Sequence, residues 1–173
     1  MVDIRRRDRV SPLRLLRLLF LVVLTVLAQT LVFPNLRVFG VVPDVGLVLA
    51  VAVAYSEGPE IGAVFGFVEG LVIDLFLNTP FGLSALAFGI TALLVGILQS
   101  GLVRTSRWMP VLVGFGSGIA SGAIFVCVGA LVGQEQLFEL ESVRIVAFAA
   151  GYDAVIAPIC FPLARWALRP PSP

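Results

Sequence analysis

The chain is a succession of apolar runs separated by short polar punctuation, and the runs have the length of helices that cross a bilayer. A hydrocarbon core of about 30 Å needs about 20 helical residues. Inside it every backbone N–H and C=O must be bonded within its own element, which favours helices. Six spans are predicted: Leu13 to Phe33, Val41 to Ser56, Glu60 to Leu77, Phe81 to Val103, Trp108 to Gly133 and Val143 to Trp166. Their boundaries are turn signals: Pro34-Asn35 after the first, Glu57-Gly58-Pro59-Glu60 between the second and third, and Asn78-Thr79-Pro80 before the fourth. The second, at 16 residues, is short for a span and implies little tilt or a locally thinned bilayer.

Composition agrees with the pattern. Of 173 residues, 59% are hydrophobic and 13% charged, whereas a soluble domain is usually about a quarter charged. Lipid is the expected solvent. The amino-terminal basic stretch Arg5, Arg6, Arg7 and Arg9 precedes an uncharged run from Leu18 to Leu36. That run exceeds the roughly 7–15 apolar residues of a secretory signal, so it is expected to remain as a span. Three regions follow: a basic terminus over 1–12, a single transmembrane domain over 13–166 and a tail over 167–173.

All twelve basic residues are Arg, and their placement orients the spans. Cytoplasmic loops retain positive charge. With both termini inside, ten Arg residues are cytoplasmic and only Arg37 and Arg144 lie outside. Trp108 and Trp166 then fall at the cytoplasmic interface, and the acidic stretch with Glu135, Glu139 and Glu141 is external.

Four acids lie in or beside the spans. Counting along the helices puts Glu69 and Asp153 near mid-depth, and Asp44 and Asp74 near the outer surface. A charge at the bilayer centre costs upward of about 2.5 kcal/mol, so such residues face a bundle interior or a wet cavity. A proton or cation site at Glu69 and Asp153 is one reading; hydrogen-bonded carboxyls that fix helix packing is the preferred one. For Asp44 and Asp74, ion pairing or capping at the rim is expected.

Glycine recurs every fourth residue at Gly62, Gly66 and Gly70, and again at Gly114, Gly118 and Gly122. Small residues at this spacing leave a flat face for close helix approach, in this chain or in another. Pro158 and Pro162, around Cys160, predict a kink in the last span. The chain has no His and no Lys, and no metal-ligand spacing, phosphate loop or nucleophile with a base. No metal, cofactor or catalytic residue is therefore expected. The net charge of +1 gives no support for nucleic-acid binding.

The stretch Val42-Pro43-Asp44-Val45-Gly46-Leu47 resembles the Pro-Asp entry to the second span of the rod shape-determining MreD family. Gly70-Leu71-Val72-Ile73-Asp74-Leu75, running on to Thr79-Pro80-Phe81-Gly82-Leu83-Ser84-Ala85-Leu86, is similar to that family's glycine-rich third span and following helix start. Ser84 departs from the pattern, where many members carry His. The motif-bearing part covers about Pro43 to Leu86. The resemblance implies a non-enzymatic subunit of the bacterial cell-elongation machinery, in the plasma membrane. It also implies work with MreC, a single-span protein, and with other membrane proteins of peptidoglycan synthesis. The implied fold is an all-α bundle of six transmembrane helices, like the substrate-binding subunit of energy-coupling-factor vitamin transporters. A small-molecule transport subunit of that kind is the alternative function.

Overall fold

The computed structural model describes residues 12–32, 41–76, 80–99, 108–133 and 140–169. The basic stretch Arg5 to Arg9 and the predicted loop residues Arg37, Arg104, Arg107, Glu135 and Glu139 lie outside them. The described residues form an all-helical fold of six helices: α1 (Pro12–Leu27), α2 (Val45–Glu57), α3 (Pro59–Asp74), α4 (Leu83–Gln99), α5 (Met109–Leu131) and α6 (Leu140–Leu168). A π-helical turn, Ala28–Val32, extends α1. α6 runs as one helix through both Pro158 and Pro162.

Three stretches are long and apolar enough, by length and composition, to cross a membrane: Pro12–Leu31, Met109–Leu131 and Ser142–Leu168. Val45–Glu57 and Leu83–Gln99 are shorter apolar helices. The outward faces are apolar too, with Leu16, Phe20, Leu98, Leu112, Val155 and Ile159 all exposed. In water such a surface would drive aggregation; in a bilayer it is solvated by acyl chains. By its apolar helices the chain is a multi-pass membrane protein.

The short second helix has a physical reason. Every residue from Leu47 to Ala54 has no exposure at all, and α2 touches all five other helices. A helix that is apolar all round belongs in a core. At 13 residues it is about 20 Å long at 1.5 Å per residue, and helices on all sides shield it from lipid. It begins at Val45 rather than at the expected Val41: Pro43 disfavours helical geometry at Val42, and Asp44 is the N-cap. The hairpins α3–α4 and α5–α6 are the most extensive pairings around it, while α1 lies at the periphery, mainly against α6 and α2.

A single residue turns α2 into α3. Gly58 has φ +104° and its N–H bonds to the Ala54 carbonyl at 2.9 Å. Pro59 then occupies the first turn of α3, where its missing N–H costs nothing. At this end of the bundle Arg14 pairs with Glu57 at 2.5 Å, Arg17 lies 5.5 Å from the Trp166 ring centre, and Arg17 donates to the Arg169 carbonyl. Of the two tryptophans expected at an interface, Trp166 is thus stacked near Arg17 and Trp108 is exposed.

Candidate functional site

The two glycine stripes both face helices of this chain. A methyl group built on Gly62 would run into the Ala54 backbone and side chain. One on Gly66 would stand 3.1 Å from Ala50 Cβ and 2.9 Å from the Phe88 carbonyl oxygen, and one on Gly70 would stand 2.6 Å from Ala85 Cα. α3 is therefore wedged between α2 and α4. The complementary stripe on α2 is Gly46, Ala50 and Ala54, also at every fourth residue, which the glycine count alone overlooks. On α5, Gly114 meets Ala157 and the Asp153 carbonyl, Gly118 meets Ala150, and Gly122 meets Val146. That stripe seats α6.

Asp74 sits at the last residue of α3 and caps the next helix. Its carboxylate accepts the N–H of Gly82 at 2.8 Å, of Ser84 at 3.2 Å and of Ala85 at 3.3 Å. Those are backbone donors at the start of α4, which have no partner within their own helix. Gly82, with φ +96°, lets the chain turn so that its N–H points back at Asp74, a conformation a side chain would strain. Pro80 accepts the Leu83 N–H through its carbonyl at 3.1 Å. The residues Asp74, Pro80, Gly82 and Leu83 thus form one hairpin lock, and Ser84 is buried within it.

Of the other three acids, Asp44 and Asp153 meet, and Glu69 is buried against α1 and α2. Asp153 accepts the Asp44 backbone N–H at 3.0 Å, and Gln29 donates to the Asp44 carboxylate at 3.3 Å. Glu69 accepts a hydrogen bond from the Thr25 hydroxyl, and a methyl group at Gly46 would stand 2.8 Å from Glu69 Cγ. Helix counting separates Asp44 from Asp153 in depth; the structure joins them. The reason is that α2 starts inside the bundle, so its N-cap meets the middle of α6 rather than the rim. Glu69 and Asp153 have no exposure. Their second oxygens, Glu69 Oε2 and Asp153 Oδ2, and Gln29 Oε1 are buried with no hydrogen-bond partner among the described residues. Nothing in the sequence pattern marks Gln29 or Thr25. Gln29 belongs to the π turn, and no periodicity signals such a turn.

Beside this cluster lies a cavity of about 260 Å³ at the end where α2, α4 and α6 begin. Asp44, Ser84, Ser121 and Ser142 supply its polar wall, and Phe88 and Phe125 are among its apolar residues. Among the described residues no three Asp, Glu or Cys side chains stand close enough to hold a metal ion.

Fold and site together define an all-helical membrane protein with a buried acidic centre. No family model matches the chain, and neither a curated protein nor a solved structure matches it.

Proposed function

We propose that this protein is a non-enzymatic membrane subunit of the bacterial cell-elongation machinery, of the MreD type. In this reading it helps assemble an MreC-like single-span protein and peptidoglycan synthases. The observation that carries the reading is the hairpin lock. The residues that resemble the family's signature, Asp74 with Pro80, Gly82 and Leu83, act together as one structural device between α3 and α4. A signature made of capping and close-packing residues suits a protein whose task is to hold a shape. With both glycine stripes engaged inside the chain, partner helices would meet the outer apolar faces instead. All six helices would span the plasma membrane with both termini cytoplasmic. Arg14, Arg17, Arg165 and Arg169 gathered at one end support that orientation.

The test is co-purification from membranes with the MreC-like protein, together with cell width after depletion. Association and widened cells are the expected results; absence of both rejects the reading. The cavity beside Asp44 favours a second reading, a substrate-binding subunit of a small-molecule transporter. Retention of a small molecule through purification, with no effect of depletion on cell width, would select it.

A further inference from the structure

The buried acidic centre is larger than helix packing requires. Packing alone is met by glycine and alanine stripes, yet three carboxyls and a glutamine are placed in the same interior. Among the described residues none of the three carboxyls has an Arg partner, the one ion pair being that of Arg14 with Glu57 at the far end of α2. Burying polar groups without partners costs free energy, more so in a low-dielectric interior. Something that donates hydrogen bonds would relieve that cost.

The geometry points to where it would enter. Asp44 is half-buried and forms part of the cavity wall. Gly118 forms another part, and a methyl group there would stand 2.8 Å from Asp153 Oδ2. That oxygen, fully buried and without a partner among the described residues, lies behind Gly118 where α5 packs on α6, so Asp44 is the carboxyl that the cavity itself presents. The π turn serves the same place by bringing Gln29 to Asp44; such turns often occur at functional sites.

We propose that the cavity is a binding site for a small organic cation, an ammonium group carried on a compact apolar body. The ammonium end would lie at Asp44, where its N–H groups meet a carboxylate acceptor. Phe88 and Phe125 offer aromatic faces suited to a cation, and Ile73 and Val146 surround the apolar body. A volume of about 260 Å³ equals about nine waters at roughly 30 Å³ each, enough for phenethylammonium. An inorganic metal ion fits less well, since the described carboxyls do not group as a metal site. The site would function equally in an assembly subunit or a transport subunit, and its test reads binding alone.

The experiment is equilibrium dialysis of radiolabelled phenethylammonium against the purified full chain in lipid nanodiscs. Saturable binding is expected, displaced by unlabelled amine but not by the neutral 2-phenylethanol. Asp44→Asn should weaken it at least tenfold, and Ser142→Phe, which adds a ring to the cavity lining, should abolish it. Thermal melting of each variant checks the fold; should Asp44→Asn not fold, Ser142→Phe carries the test. The proposal is overturned by the absence of saturable binding, or by the alcohol competing as well as the amine, which would mark a hydrocarbon or lipid pocket. Displacement by millimolar sodium, or unchanged affinity in Ser142→Phe, would overturn it as well.

Discussion

The glycine stripes of α3 and α5 have the same spacing but are constrained differently. The α3 stripe is pressed from two sides and largely by backbone: Gly62 by Ala54 of α2, and Gly70 by Ala85 of α4. The α5 stripe is graded along one partner. Gly114 and Gly118 meet α6 near its backbone at Asp153 and Ala150, whereas Gly122 meets only the Val146 side chain. Backbone cannot yield without moving a helix, whereas a side chain, even a stiff Val, can give by a few tenths of an ångström. The spacing records that helices approach closely; the facing atom decides how much each glycine matters.

Substitutions graded by that difference would break or sharpen it. The largest effect is expected for Gly70→Leu, which forces α3 off α4, and for Gly62→Leu, which forces it off α2. Losses above about 4 kcal/mol, the range of severe core defects, should appear as protein that no longer melts cooperatively in detergent. A normal melt for either would mean that α3 does not sit between α2 and α4.

Next comes Asp74→Ala, which strips three backbone donors of their acceptor. Its cost is expected to be about 2–3 kcal/mol, the scale of leaving buried backbone donors without an acceptor. Asp74→Asn, which keeps one acceptor oxygen, should recover about half. Equal melting temperatures for the two variants would show that the carboxylate does not lock the hairpin.

Smaller still is Gly122→Ala, expected at about 1–2 kcal/mol, because it presses on the stiff Val146 side chain but on no backbone. A cost matching that of Gly118→Ala would contradict the grading along α5. Glu69→Gln, isosteric and still able to accept from Thr25, is expected to disturb melting and partner recovery less than Gly66→Leu. The reverse order would give the buried carboxyl a structural role that its single hydrogen bond does not explain.

Much of this architecture is legible in the residues themselves. Apolar runs of helical length, bounded by Gly58-Pro59 and by Pro80, place the helices to within a few residues, because hydrophobicity and turn chemistry are local. The close faces are legible as well, since a period of four maps one side of a helix. The centrality of α2 is not. Its 13 residues look like a deficient span, and only the surrounding helices reveal it as a core.

The acids divide in the same way. That Asp44, Glu69, Asp74 and Asp153 are unusual follows from their apolar neighbours along the chain. Which of them meet does not. Asp74 and Gly82 are eight residues apart, so one tight hairpin suffices to join them. Asp44 and Asp153 are 109 residues apart, and their meeting depends on where α2 begins relative to α6. The sequence by itself determined the membrane helices, their turns and the small faces between them, because each is set within a few neighbouring residues. The tertiary structure alone decided the buried centre, because helix depth and lateral order are set by packing between segments far apart in the chain.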